Sequence, residues 1–281
     1  MGSPMRTRIA AALVLLFALT GAALAAPRPL TLATTTSTYD SGLLDYILPE
    51  FEQRSGIAVK VVAVGTGQAL ELAGRGDADA VLVHAPDLER DFIRAGHAAG
   101  HWRLMYNHFV IVGPAADTAH VSSSPTPAIA MKRIAEARAT FVSRGDKSGT
   151  HYRELQLWET AKIKPQGDWY LEAGSGMAAT LRLADDKDAY TLSDIGTYLA
   201  QRDRLHLAML CEKGDELLNR YSLMAVSPRT HPGVNHQGAM RLIHYFLAPE
   251  TLRRIGAFGA ERYGRPLFRV YGAARVPARA Q

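Results

Sequence analysis

The sequence predicts an α/β fold with two lobes, each built on a mostly parallel sheet flanked by helices. Short apolar segments alternate with amphipathic helical patterns, and this alternation restarts after residues 113–128, which are rich in Pro, Ser and Ala. Such alternation is typical of parallel sheets that are covered on both faces. Polar loops follow several of the predicted strands. Since ligands of these folds bind at the carboxyl ends of strands, we expect the site in the cleft between the lobes.

Composition narrows the class of protein. The chain has 281 residues, of which 47% are hydrophobic and 21% charged, as in globular proteins and unlike disordered chains or coiled coils. The net charge of +5 comes from scattered Lys and Arg residues, which does not indicate a nucleic-acid partner. A single cysteine, Cys211, excludes an internal disulfide framework and a multi-cysteine metal site.

The N-terminus is typical of an export signal. Arg6 and Arg8 precede an apolar run at residues 9–19, and Ala23–Ala25 fits a small-x-small cleavage pattern. The run is short for a membrane span of about 20 residues, and no cysteine for lipid attachment lies near it. We therefore expect residues 1–25 to be a cleaved signal peptide. The mature chain would then reside free in a bacterial periplasm.

The first half of the mature chain predicts strands and helices in alternation. The first helix has five apolar residues on one face and a stop signal at Gly56. The predicted strands are Leu30–Ala33, Ile57–Val64, Ala80–Val83 and Phe109–Val112. The predicted helices contain Leu43–Phe51, Gln68–Ala73 and Pro86–Ala95.

The second half repeats the alternation. The predicted strands are Thr140–Ser143, Leu205–Leu210 and Tyr221–Val226. The predicted helices are Met131–Ala137, Ser148–Ala161, Met177–Ala184, Ser193–Arg202, Met240–Phe246 and Thr251–Phe258. We expect the chain to cross between lobes near residues 113–126 and 220–227. Lobe I would then be residues 27–113 plus 225–281, and lobe II residues 114–224.

Four loops share hydroxyl groups and glycines next to a predicted helix start. They are Thr34–Thr38, Gly65–Gly67, Ser143–Thr150 and Gly174–Met177. Free N–H groups at a helix start point outward and the helix dipole favours negative charge, while glycine lets a ligand approach the backbone. Helix capping explains any one of these loops alone, but the four together predict an anion site. Arg144 is its natural cation, and Asp146 is an alternative partner for Arg144.

Catalytic and metal motifs are not found. The ten histidines lack HExxH spacing, and the chain has no Walker A, GxSxG or GxGxxG pattern after a strand. The acidic segment Asp185–Asp188 lacks the spacing of a calcium loop. A binding protein is therefore favoured over an enzyme.

Five segments carry a resemblance to a known family. They read, in order, LATTTSTYDSGLLDYILPEFE, VVAVGTGQAL, FVSRGDKSGTHYRELQLWE, YLEAGSGMAATLRLA and AYTLSDIGTYLA. This order resembles the periplasmic tungstate-binding proteins of ABC transporters, with a type II periplasmic-binding-protein-like fold, from Leu30 to Phe268. The resemblance implies a binding protein that closes on one tetrahedral oxyanion and delivers it to a membrane permease with a cytoplasmic ATPase. It implies no enzyme activity, no cofactor and no metal site, since tungstate is bound through its oxygens, and we expect a monomer.

The resemblance also implies which residues bind the ligand. They are Thr35, Thr36, Ser37, Thr66, Arg144, Ser148, Gly149, Thr150, Ser175, Gly176 and Met177. One position departs from the family, which often has Asp-Arg where this chain has Asp194-Ile195, so the choice of anion and the affinity stay open.

The chemistry of the anion favours tungstate over phosphate. A charge-assisted hydrogen bond contributes about 1.5–3 kcal/mol and nanomolar binding needs about 12 kcal/mol, so six or seven donors could supply this affinity after the cost of association. Tungstate carries no proton at neutral pH and suits a site made of donors alone. Monohydrogen phosphate needs an acceptor, which a free Asp146 could supply.

Three alternatives remain open. The same fold binds molybdate or phosphate, and the sequence does not separate molybdate from tungstate. A periplasmic hydrolase with Ser37 or Ser148 as nucleophile would need a histidine within hydrogen-bond reach and an orienting carboxylate. A sensor that presents its closed form to a receptor would have the same sequence features as a transport protein.

Overall fold

The computed structural model describes residues 28–271. The predicted signal peptide lies outside the described residues. Within residues 28–271, no helix combines the length and the apolar character that a membrane crossing requires.

Strands and helices alternate through most of the described chain. The strands are β1 Leu30–Thr35, β2 Val59–Val64, β3 Ala80–Val83, β4 Ala98–Pro114, β5 Phe141–Ser143, β6 Tyr170–Glu172, β7 Thr191–Asp194, β8 Leu207–Cys211, β9 Leu218–Val226 and β10 Arg269–Val270. The α-helices are α1 Thr36–Asp40, α2 Leu43–Ser55, α3 Thr66–Arg75, α4 Pro86–Arg94, α5 Pro127–Glu136, α6 Gly149–Thr160, α7 Met177–Asp186, α8 Ile195–Gln201, α9 His236–Leu247, α10 Pro249–Ala257 and α11 Ala260–Tyr263.

The central sheet joins a parallel part to an antiparallel part. Strand β1 pairs in parallel with β2 on one side and β3 on the other. Strand β9 then adds antiparallel to β3, and β4 adds antiparallel to β9. Strands β5 and β6 form a separate parallel pair. The predicted α/β class with flanking helices is confirmed, and the parallel strands are those of the β-α-β units.

Strand β4 is longer than the sequence indicates and pairs with four other strands. Residues 98–108 pair with β9, and Met105 and Tyr106 within that stretch also pair with β10. Residues 109–114 pair with β7 and β8. Only Phe109–Val112 is predicted from the sequence, because polar residues such as His101 and Arg103 interrupt the apolar pattern before it. Strand β4 is therefore shared by two groups of strands, β9 and β10 along its first part and β7 and β8 along its last part.

The apolar stripe of α2 is confirmed. All five of its apolar residues are buried, and the helix ends at Gly56, whose φ of 69° is the left-handed conformation that favours glycine. The predicted helix Ser193–Arg202 is wrong at its start, because Thr191–Asp194 is a buried strand that pairs with β4. Helix α8 begins only at Ile195, with Asp194 as its N-cap.

Candidate functional site

The first polar loop lies where β1 ends and α1 begins. Thr35 caps α1, since its Oγ1 accepts from the backbone N of Thr38 at 3.2 Å. The same oxygen lies 2.6 Å from Oγ1 of Thr38 and 3.3 Å from Oγ of Ser37. Thr35 and Ser37 are buried, whereas Thr36 is exposed. The capping role expected of such a loop is therefore present.

His84 is a buried member of this site that the sequence did not indicate. It follows β3, and its Nε2 lies 3.1 Å from Oγ1 of Thr35. Its Nδ1 lies 2.8 Å from Oδ1 of Asn219 in β9. Burial lowers the pKa of His84 to about 4, and the hydrogen bond to Asn219 opposes this shift. The imidazole is therefore neutral near pH 7. The available signal was a polar residue directly after an apolar strand.

Arg144 lies in the loop between β5 and α6 and is 4% exposed. Its guanidinium forms an ion pair with Asp146, and Oδ1 of Asp146 accepts from the backbone N of Ser148 at 3.1 Å. Both carboxylate oxygens of Asp146 therefore have partners within the loop. Ser148 caps α6 by accepting from the backbone N of His151 at 3.3 Å, which leaves its hydroxyl proton available to a ligand.

Two buried polar atoms of the candidate residues have no hydrogen-bond partner. They are Oγ1 of Thr66, at the start of α3, and Nε of Arg144. Thr66 is not a cap, because Gly65 holds that position. Elsewhere in the described residues, Asn107 and His236 hold the remaining atoms of this kind. A buried donor without a partner destabilises the fold by about 1–3 kcal/mol. A bound anion that accepts from both atoms would explain why they have no partner within the protein.

Gly149 brings the loops into contact. A Cβ placed on Gly149 would lie 2.9 Å from Cε1 of His84 and 3.4 Å from Oγ1 of Thr66. The start of α6 therefore lies against the residues that follow β2 and β3. Thr150, the next residue, is also buried. These contacts join three of the four predicted loops.

The fourth loop is not linked to the others by hydrogen bonds among the described residues. The backbone O of Ser175 accepts from Oγ1 of Thr180 at 3.4 Å. Gly176 is exposed at the N-cap of α7, and Met177 is buried in the core. Their role at the site stays a prediction.

The charge of Arg144 reaches two carboxylates beyond its own loop. Burial raises the pKa of Asp194, and Arg144 opposes that shift, as it does for Asp40 on α1. Asp194 accepts from the backbone N of Thr197 at 2.9 Å and from its Oγ1 at 2.7 Å. Ile195, where the family often has arginine, is 3% exposed and belongs to the apolar core.

The buried carboxylate of Glu154 is hydrogen-bonded to the residue that precedes Arg144. Glu154 on α6 accepts from Oγ of Ser143 at 2.8 Å, from Nε1 of Trp158 at 3.1 Å and from the hydroxyl of Tyr170 at 2.7 Å. Burial raises the pKa of Glu154, and these hydrogen bonds oppose the shift. The network holds Ser143, the last residue of β5, against α6. Arg144 follows directly after this anchored residue.

Comparison with known proteins agrees with this fold. The chain matches the PBP superfamily domain over residues 20–250. It is 46% identical to the tungstate-binding protein TupA of Peptoclostridium acidaminophilum over 239 residues, which is 84% of each chain.

Two solved structures are also similar. A tungstate ABC transporter structure from Geobacter sulfurreducens is 47% identical with a TM-score of 0.76, covering 83% of this chain and 99% of that one. The tungstate-binding protein TupA from Desulfovibrio alaskensis G20 is 40% identical with a TM-score of 0.77, covering 88% of this chain and all of that one. The chain therefore belongs to the PBP superfamily and, within it, to the family of the TupA tungstate-binding proteins.

Proposed function

We propose that this chain binds tungstate outside the cytoplasm and delivers it to an ABC permease driven by an ATPase. The unpartnered, buried Oγ1 of Thr66 and Nε of Arg144 support this function most directly. Both belong to segments that resemble, in their order, those of tungstate-binding proteins, and both can donate to an oxyanion. The named relatives, which are tungstate-binding proteins, favour the same ligand.

The donors near these two atoms suit a dianion without a proton. Ser148 has a hydroxyl proton to donate, and the starts of α3 and α6 carry backbone N–H groups without helical partners. Because Arg144 is paired with Asp146, hydrogen-bond donors and helix dipoles contribute more than net charge. Asp146 accepts from internal donors on both oxygens, so it is not a free acceptor for protonated phosphate.

Strand pairing supports a division into two lobes that close on the ligand. Strand β4 changes partners between His108 and Phe109, which favours a first crossing a few residues before 113. We infer lobes that differ slightly from those expected from the sequence, residues 27–113 plus 225–281 and residues 114–224. Residues 109–113 pair with β7 and β8 and would join lobe II, whereas residues 218–224 pair with β3 and the first part of β4 and would join lobe I. Two contacts would then form only on closure: Gly149 against His84, and Nε2 of Gln156 with Oδ2 of Asp87 at 2.7 Å. Binding would shift the equilibrium towards this closed form.

Export and transport complete the proposal. The residues before the described range carry the predicted signal peptide, and we infer a monomer in the periplasm that docks on its permease. A hydrolase is disfavoured because, among the described residues, neither candidate nucleophile is hydrogen-bonded to a histidine side chain. Oγ of Ser37 lies 3.3 Å from Oγ1 of Thr35. The Ser148 hydroxyl accepts from the backbone of His151, whose imidazole Nδ1 accepts from the backbone N of Lys147 at 3.0 Å.

Titration calorimetry with the chain from residue 26 onward tests the function. Tungstate, molybdate, sulfate and phosphate would be titrated separately at one neutral pH. We expect tight one-to-one binding of tungstate and no heat from phosphate. Phosphate binding without tungstate binding would refute the donor-only site and reassign the ligand.

A further inference from the structure

The hydrogen-bond chain through His84 has a fixed direction. Nδ2 of Asn219 donates to the hydroxyl of Tyr221 at 2.9 Å, so Oδ1 of Asn219 faces Nδ1 of His84 as an acceptor. Nδ1 must therefore carry the imidazole proton. The lone pair of the neutral ring is then on Nε2, which faces Oγ1 of Thr35.

This tautomer balances the hydrogen bonds of Thr35. Its oxygen already accepts from the backbone N of Thr38, and Oγ1 of Thr38, at 2.6 Å, can either donate to it or accept from it. A hydroxyl accepts two hydrogen bonds and donates one. With Nε2 of His84 as acceptor of the Thr35 proton, Oγ1 of Thr38 becomes the second donor to Thr35 and α1 keeps its cap. A protonated Nε2 would instead turn the Thr35 proton away from His84 and towards Oγ1 of Thr38.

The ring of His84 also faces the third loop. Both nitrogens are held, and the Cε1 edge between them lies against Gly149 at the start of α6. Tyr221 covers the ring at a centroid distance of 4.8 Å. The charged groups whose fields act on His84 are Arg144 and Arg153, and both disfavour a second proton on the ring.

We propose that His84 is a positioning residue of the anion site, whose neutral imidazole orients the Thr35 hydroxyl and forms the surface on which α6 seats when the lobes close. This inference rests on the proposed function for its ligand. His84 acts through Thr35 and Gly149, and its role does not require contact with the anion.

The first test reads the tautomer without any substitution. Nitrogen-15 NMR of the histidine side chains at pH 7, with His84→Gln used to assign the signal, should show a protonated Nδ1 and a bare Nε2. This pattern should persist with tungstate bound. A protonated Nε2 would overturn the proposal.

The second test measures tungstate affinity in matched variants. His84→Gln keeps an acceptor oxygen and should bind within about fivefold of the unsubstituted protein, whereas His84→Leu lacks one and should bind at least about tenfold more weakly. Thr35→Val should weaken binding similarly, and its combination with His84→Leu should add little, because the two residues act through one hydrogen bond. Equal affinities of the Gln and Leu variants, or fully additive losses, would contradict the proposal.

The two tests separate this inference from the proposed function. If the unsubstituted protein does not bind tungstate, the proposed function fails, while the NMR signal still decides the direction of the hydrogen-bond chain. If it binds tungstate and the tautomer is reversed, the function stands and the role of His84 is refuted.

Discussion

A substitution at Gly149 tests how closely the start of α6 packs against His84. Gly149→Ala would place a methyl group 2.9 Å from Cε1 and 3.2 Å from Nδ1 of His84. The ring cannot move aside without losing a hydrogen bond, because both of its nitrogens are held. Overpacking of this kind destabilises a contact by about 1–3 kcal/mol. Since about 1.4 kcal/mol corresponds to a tenfold change, tungstate affinity should fall by roughly 5- to 150-fold.

The stability of the ligand-free protein should respond differently. If the lobes separate without ligand, the clash exists only in the closed form, and alanine suits a helix better than glycine. The ligand-free unfolding temperature should therefore stay the same or rise slightly. Gly256→Ala in α10 is a matched control, since its Cβ would meet only Val270 at 4.0 Å. Calorimetry and thermal unfolding on both variants measure these effects. Unchanged affinity in Gly149→Ala would refute the close packing of α6 against His84. A lowered unfolding temperature with unchanged affinity would refute lobe separation.

Three further predictions concern single side chains. Arg144→Lys keeps the positive charge but loses the planar set of guanidinium donors. Tungstate affinity should fall by about 10- to 150-fold, which corresponds to a loss of about 1.5–3 kcal/mol. Calorimetry checks this against the variant Arg138→Lys at an exposed site, and equal losses in the two variants would contradict the prediction. The unfolding free energy should fall by up to about 3 kcal/mol between pH 6.5 and 4, because the pKa of His84 is about 4 in the fold against 6.5 when unfolded, and the unfolded chain binds the proton first. Denaturant unfolding should show this slope reduced in His84→Gln, and identical slopes would exclude His84 as its source. Tyr170→Phe removes a donor to the buried Glu154 and should lower the unfolding free energy by about 1–3 kcal/mol, a loss that exposed Tyr152→Phe should not share.

Local patterns were sufficient for the amphipathic helices and insufficient for the longest strand. The apolar residues of α2 and its end at Gly56 follow from spacing and from glycine's conformational freedom, which are properties of neighbouring residues. The first part of β4 alternates poorly, and its extended form depends on pairing with β9, more than a hundred residues later in the chain. Likewise, β7 is extended because it pairs with the end of β4. Such partners leave no mark on the local sequence.

The candidate site divides in the same way. The sequence shows which hydroxyl residues follow strands. It does not show which of these hydroxyls cap a helix and which have no hydrogen-bond partner. Thr35 and Thr66 look alike in sequence, yet Thr35 is bound by Thr38 and His84 while Oγ1 of Thr66 has no partner. His84 itself was missed because its meaning depends on Asn219, 135 residues away.

The antiparallel pairing of β3 with β9 ties the folding of the first third of the chain to its last third. Ala80 pairs with Ala225, and Val83 with Ser222, so this edge of β3 stays open until Leu218–Val226 is available. Every residue of β3 is buried in the finished fold. An open, apolar edge of this kind is a template for pairing with other chains, and closing so long a loop slows folding. A chain cut before Leu218 would therefore be prone to self-association, even though it retains all the proposed anion-binding residues.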